Sequence, residues 1–207
     1  MSEDLELARR WRDGDRRAGE VLFERHYDAI ECFFRNKVST GIEDLLQKTF
    51  LICVEKKDDF RGESSFRTYL FGVAYNVLRN HYRQAKRQRE RIDFQRESVA
   101  DLAPGVSTMV RGSEQRSLLL AALRSIPLDY QVVLELYYWE EMEGKAIAEV
   151  LGIPDGTARS RIRLGKERLR KALEEQELSP ERLRETLTHL DEWARELRAR
   201  LVRDPLE

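Results

Sequence analysis

Apolar residues recur along this chain at spacings of three and four, and the strict alternation that buries one face of a β-strand is absent. A chain patterned in this way folds as helices packed on helices, so the expected class is all-α. Predicted helices cover 4–12, 16–37, a third from 42 to the Lys56, Lys57, Asp58, Asp59 charge cluster, and 66–87, with Gly14 breaking the first from the second. Regular structure is expected again over 114–125, 129–139, 145–151 and 156–177. The stretch between, 88–113, is polar and charged, holds Pro104, Gly105 and Gly112, and carries no sustained period, which reads as a flexible linker. The predicted architecture is therefore two small helical domains, 1–87 and 114–175, with an extension over 176–207.

That extension opens on Ser179, Pro180 and Glu181, a helix cap followed by proline at the first helical position. Leu183, Leu187, Leu190, Ala194, Leu197 and Leu201 then follow heptad spacing, so a C-terminal amphipathic helix is expected. Its apolar seam needs a place to bury: one of the two domains, a partner helix, or a functional surface that it would cover in an autoinhibitory role.

Composition limits the function classes. Of 207 residues, 36% are charged and the formal net charge is -1, so affinity for nucleic acid has to come from local basic patches. Cys32 and Cys53 lie in no CxxC pair and near no histidine cluster, and read as buried thiols. The N-terminal stretch lacks an apolar signal core and no run of about 18 apolar residues occurs, so a soluble, cytoplasmic protein without membrane insertion is expected. His26, His81 and His189 are dispersed, and neither a phosphate-cradling glycine loop nor a nucleophile with a neighbouring base is evident. No enzyme activity, cofactor, metal or small-molecule substrate is implied.

The segment 141–171 carries the functional signal. Ile147, Ala148 and Leu151 form one apolar face, Gly152 supplies a left-handed turn, and Ile153 anchors it before Pro154 and Asp155 open the next helix. There Ala158, Ile162, Gly165 and Leu169 form the packed face, which leaves Arg159, Ser160 and Arg163 pointing outward. This is a helix-turn-helix whose second helix fits a DNA major groove, with its early residues at base edges. Lys166, Arg168, Arg170 and Lys171 extend the positive charge toward phosphates. In the 66–87 helix, which Ser64 or Ser65 would cap, Leu70, Ala74, Val77, Leu78 and His81 share one face. Tyr69, Asn76, Asn80, Arg83 and Arg87 form a separate stripe: aromatic, amide, then cationic.

The stretch GKAIAEVLGIPDGTARSRIRLGKERLRKAL resembles DNA-binding region four of bacterial sigma-70-type factors, especially the small extracytoplasmic-function (ECF) class. IEDLLQKTFL is similar to that family's core-polymerase-binding segment, and DFRGESSFRTYLFGVAYNVLRNHYR to its promoter-melting and minus-ten-reading segment. The resemblance covers about 5–87 and 114–173, in the family order. It implies a first domain that docks on core RNA polymerase and captures the melted minus-ten strand, and a second that reads the minus-thirty-five duplex of promoter DNA, with catalysis left to the polymerase.

Carried onto this chain, the resemblance assigns Thr157, Arg159, Ser160, Arg163 and Lys166 to the minus-thirty-five element. For minus-ten, Tyr69 stacks at the melted edge, Asn76 and Asn80 read bases, Arg79, Arg83 and Arg87 hold the backbone, and the loop from Arg61 through Ser64 and Ser65 to Phe66 accommodates a flipped base. Polymerase docking falls to Asp44, Leu45, Gln47, Phe50 and Leu51, with the apolar members shared between core and interface. Here the chain departs from the family pattern: Lys48 stands where an acidic residue commonly follows the glutamine. Phosphorylation of the adjacent Thr49 by a Ser/Thr kinase would restore negative charge, which makes Thr49 a candidate modification site. An anti-sigma factor is a further candidate partner by family habit. The competing reading, a helix-turn-helix regulator that does not dock on polymerase, leaves the 44–51 segment and the Tyr69–Asn80 stripe unexplained.

Overall fold

The computed structural model describes residues 3–85, 92–103 and 114–176, together with positions 184, 188 and 192. Its helices are α1 (Glu3–Arg12), α2 (Arg16–Arg35), α3 (Ile42–Glu55), α4 (Phe66–Ala85), α5 (Val99–Leu102), α6 (Glu114–Ser125), α7 (Leu128–Tyr138), α8 (Gly144–Leu151) and α9 (Asp155–Glu174). Among the described residues the fold is all-α, as the spacing predicts, and no helix is long and apolar enough to cross a membrane. The heptad seam of the predicted C-terminal helix lies outside the described residues, as does Arg87.

Local chemistry sets the helix ends. The Asp15 side chain accepts from the Ala18 backbone N–H at 3.1 Å and caps α2. The Ser65 hydroxyl accepts from the Thr68 backbone N–H at 3.0 Å and starts α4. Gly152, at φ 63°, ends α8 in the left-handed conformation the turn requires. Gly19 has a packing role: a Cβ there would stand 2.3 Å from Trp11 Cδ1, so the missing side chain is what lets Trp11 of α1 lie flat on α2. Trp11, Phe23, Phe60 and Phe66 then form an edge-to-face and tilted aromatic cluster between α1, α2 and α4.

Within the predicted linker, residues 92–103 take defined structure. Phe94 and Val99 are buried, Ser98 and Asp101 form a reciprocal capping box on α5, and the backbone N–H groups of Leu128 and Asp129 donate to Glu97 and Phe94 carbonyls. Periodicity missed this segment because it is held by two isolated apolar anchors and by hydrogen bonds to a distant helix, neither of which leaves a repeat.

The two helical groups, α1–α4 and α6–α9, pack directly on each other. One buried apolar cluster runs from Leu22, Phe33, Leu70 and Phe71 through Val132, Val133, Ile147 and Val150. α4 meets α8 at Gly72, where even a Cβ would be in ordinary contact with the Val150 backbone, 3.7 Å from its carbonyl oxygen and 3.8 Å from its Cα. Polar groups complete the seam. Lys37, just beyond α2, is fully buried against Glu135 of α7. Asn36 Nδ2 donates to Glu135 Oε1 at 2.5 Å, and Arg124 Nε donates to Asn36 Oδ1 at 2.9 Å. The Tyr75 hydroxyl of α4 donates to Asp129 Oδ1 at 2.7 Å, while Arg161 of α9 donates to Asp129 Oδ2 at 2.9 Å.

Candidate nucleic-acid interface

The helix-turn-helix is α8, the Gly152 turn and α9. Ile147, Ala148 and Leu151 are buried on one side of the turn, and Ala158, Gly165 and Leu169 on the other, with Ile162 half-buried. A Cβ on Gly165 would stand 3.2 Å from Leu134 Cγ of α7, tighter than ordinary contact, so the glycine lets α9 lie close on α7. With that face buried, Thr157, Arg159, Ser160 and Arg163 are exposed on the opposite side. Arg161 turns inward to Asp129, so the basic residues of α9 divide between seam and surface.

The two outward arginines are not loose. Arg159 donates to both Asp155 oxygens, at 2.5 and 3.3 Å, and Arg163 donates to Glu167 at 2.6 Å, each one helical turn away. Their side chains remain 73% and 67% exposed, so the guanidinium edges not used by the carboxylates face solvent. Gly144 opens α8 beside Arg159, whose Cγ lies 3.4 Å from where a Cβ would stand. Lys166 sits on the flank instead, with its ammonium 4.4 Å from the Tyr137 ring centre and 5.0 Å from Tyr138.

On α4 the inner face forms as the spacing requires: Leu70, Ala74, Val77 and Leu78 are buried and His81 is half-buried. Asn76, Asn80 and Arg83 are exposed in a line, and Arg61 is exposed in the preceding loop. Tyr69 is half-buried; its hydroxyl donates to the Lys56 carbonyl at 3.3 Å, and burial pushes its pKa up to about 12. An open cleft of about 320 Å³ beside Ser64, Thr68, Tyr69 and Asn76 is bounded on its far side by Glu149–Gly152 of α8. It is lined mainly by carbon, the kind of surface on which an unpaired base stacks.

Two residues expected on this surface are committed elsewhere. Phe66 is 1% exposed and belongs to the aromatic cluster with Trp11 and Phe60, because the first apolar side chain of α4 points into the core. Arg79 is half-buried, with its guanidinium 5.4 Å from the Tyr75 ring centre and 5.0 Å from that of Phe94. The linker aromatic therefore takes up a side chain expected to reach phosphate. Ser65 is exposed, but its hydroxyl is occupied as the α4 cap.

On α3, Asp44, Gln47 and Leu51 are exposed and Phe50 is half-buried, stacked on Tyr27 at 6.1 Å and 8° between ring planes. Leu45 is 6% exposed and serves the core. Tyr27 and Val54, 43% and 48% exposed, extend the apolar surface that Leu51 starts. Sequence reasoning missed both: Val54 lies one turn beyond Leu51, and Tyr27 comes from another helix. Thr49 is fully buried and its hydroxyl donates to the Leu45 carbonyl at 2.7 Å, so the fold does not offer it to a kinase.

A helix-turn-helix with an outward basic face, a second helix with an exposed amide stripe and a separate exposed apolar face together define a DNA-binding transcription protein. Family comparison is more specific. Residues 22–88 match the model for Sigma-70 region 2, and residues 116–169 that for Sigma-70, region 4. The chain is 31% identical to RNA polymerase sigma factor HrpL of Pseudomonas syringae pv. syringae, over 70% of this chain and 81% of that protein. It is 27% identical to the ECF RNA polymerase sigma-E factor of Haemophilus influenzae, over 77% and 89%. In fold it is similar to CnrH, solved in complex with the cytosolic domain of CnrY, at a TM-score of 0.61 and 23% identity, over 86% of this chain and 100% of that one. It is also similar to RpoE of Bartonella quintana, solved with the anti-sigma factor NepR, at a TM-score of 0.57 and 20% identity, over 75% and 96%. The chain belongs to the sigma-70 family of RNA polymerase sigma factors, in its ECF class. Its function is to direct core RNA polymerase to promoters, and its partners are that polymerase and promoter DNA.

Proposed function

We propose that Arg159, Ser160 and Arg163 read the minus-thirty-five duplex, with Thr157 and Lys166 toward phosphate, and that Tyr69, Asn76, Asn80 and Arg83 engage the melted minus-ten strand. The observation that carries this reading is the pair of exposed polar surfaces, on α9 and α4, each on a helix whose opposite face is buried. Guanidinium groups suit bidentate contacts to guanine edges, and side-chain amides suit unpaired bases. The core polymerase docks on the Asp44, Gln47, Leu51 face, extended by Tyr27 and Val54; its acidic rim fits a basic, amphipathic partner surface. No chemical step is assigned to the chain itself, and it acts in the cytoplasm, where its polymerase works. The relative solved with an anti-sigma factor supports control of this chain by a protein of that kind.

The test is run-off transcription from a promoter library by core polymerase with the purified chain. Initiation from a defined subset of promoters is expected. Arg159→Ala should relax selection in the upstream element and Asn76→Ala in the downstream one. Unchanged selection in both variants would sink the residue assignment while leaving the family membership intact.

A further inference from the structure

Helix α1 precedes residues 22–88, the span matched to Sigma-70 region 2. Ala8 and Trp11 bury it in the core, and its first turn is tied to α2, where Arg25 Nη1 donates to Asp4 Oδ1 at 2.5 Å and His26 Nε2 lies 2.8 Å from Asp4 Oδ2. Three further contacts of α1 reach the 57–65 segment that joins α3 to α4. Lys57 Nζ donates to the Arg12 carbonyl at 2.9 Å, and Arg12 Nη1 donates to the Phe60 carbonyl at 3.4 Å. Arg12 is the last residue of α1, so its carbonyl is one that a helix cannot pair internally, at the negative end of the helix dipole where an ammonium is favoured. The two bonds run in opposite directions and clamp the helix end to the turn. Farther along, Gly62 stands at φ 74° in the left-handed region, and a Cβ there would be 3.2 Å from Leu5 Cδ1. Leu5 therefore supports the loop at its glycine.

The same segment carries part of the minus-ten surface. Ser64 lines the cleft together with Tyr69 and Asn76. Phe60 is buried, with its ring 5.4 Å from that of Tyr69 and 5.6 Å from that of Phe66, and the Tyr69 hydroxyl donates to the Lys56 carbonyl. A shift of the 57–60 turn therefore moves both the loop and the ring that Tyr69 leans on. Arg61, Gly62 and Glu63 are exposed. A short exposed loop containing glycine has many conformations, and it loses that freedom on meeting a base unless the fold has removed it beforehand. Part-exposed hydrogen bonds to loop carbonyls add little to net stability, so their main effect is to fix where the loop stands.

We infer that α1 is a positioning element for minus-ten recognition. Leu5, Arg12 and Lys57, none of which lines the cleft, hold the 57–65 segment so that Ser64 and Tyr69 present one fixed geometry to the melted strand. The inference rests on the strand-reading role proposed for α4. Base selection in the downstream element then depends on side chains one layer removed from the strand, through a contiguous path from the end of α1 by way of Phe60 to Tyr69.

Run-off transcription by core polymerase with the full chain, on a promoter library varied in both elements, tests it. The variants are Leu5→Ala with Arg12→Ala, Lys57→Ala and Arg12→Lys, and the melting temperature of each is measured alongside. A purely structural loss lowers the yield from every promoter in proportion and leaves the preference among them intact. Loss of positioning narrows the preference among minus-ten bases by about threefold or more, while preference in the minus-thirty-five element stays that of the natural chain. That second outcome is expected for the double variant and, in smaller degree, for Lys57→Ala. Arg12→Lys keeps a donor toward the Phe60 carbonyl and should retain most of the preference. An unchanged minus-ten preference in the folded double variant overturns the inference, whatever happens to the yield. If the double variant does not fold, Lys57→Ala decides in its place, and an unchanged preference there overturns it equally. Asn76→Ala separates the two ideas: if it also leaves minus-ten preference unchanged, the strand-reading role of α4 falls, and if it alone shifts the preference, only the positioning role of α1 falls.

Discussion

Lys37 and Glu135, 98 positions apart in sequence, form a buried ion pair that joins the α1–α4 half of the protein to its helix-turn-helix half. Burial presses the Lys37 ammonium below its usual value, and the adjacent carboxylate opposes that shift. A pair so placed is costly to halve and cheap to replace whole. Lys37→Met should destabilise the protein by about 3–5 kcal/mol, while Lys37→Met with Glu135→Leu should recover most of that loss. Urea unfolding of the two single variants and the double variant gives the coupling directly, and additive losses would refute the pairing.

Asp155 holds Arg159 through two hydrogen bonds at the start of α9. An arginine ordered before it meets DNA loses less freedom on binding and presents a fixed edge to one base. Asp155→Asn should therefore relax base preference at the position read by Arg159 while leaving the fold unchanged. Arg159→Ala should cost about 1–3 kcal/mol at that same position. Both effects are measurable by selection from a randomised upstream element; an Asp155→Asn profile identical to the natural one would refute the positioning role.

Leu51 and Val54 are exposed on α3 at 53% and 48%. Leu51→Glu combined with Val54→Glu removes an apolar contact surface without touching the core. Affinity for core polymerase should fall by at least about tenfold, with the melting temperature nearly constant. Undiminished co-purification with the polymerase would place the docking face elsewhere.

Gly19 lies beneath the Trp11 ring, with no room for a Cβ. Gly19→Ala should destabilise the protein by about 1–3 kcal/mol, despite the better helix propensity of alanine, because α1 has to lift off α2. Thermal unfolding would show it; a stabilised variant would mean that the ring relaxes freely.

His26 is buried beside Asp4, with its Nε2 2.8 Å from Asp4 Oδ2, and burial lowers its pKa from 6.5 against the pull of that carboxylate; Arg67 and Arg25 add to the lowering. The unfolded chain then binds this proton more readily than the folded one. The associated stability is present above pH 6.5 and is lost as pH falls through the lower folded value. Melting temperature should decline from pH 7.5 toward pH 5, and less steeply in His26→Phe. Identical slopes would exclude His26 as the titrating group.

Apart from α5, the helix identities, the Gly152 turn, the buried stripes of α4 and α9 and the outward arginines were legible in the sequence, because each follows from spacing within one helix. The inward turn of Phe66 and Arg79 was not, since neighbours on other elements decide whether a residue near the edge of a stripe turns inward. Thr49 illustrates the same limit: its hydroxyl type suggests modification, and its place in the packing withdraws it.

What the sequence by itself determined is the class of fold and the family, because helix periodicity, cap chemistry and the two sigma motifs are local and survive any arrangement of the helices. Only the tertiary structure decided that the two halves close on each other, that Phe94 of the linker carries Arg79, and that Tyr27 joins Leu51 and Val54. Those outcomes depend on side chains from distant segments meeting in a low-dielectric seam, where burial and pairing set the energy of a charge, and no one-dimensional pattern records which partner each will find.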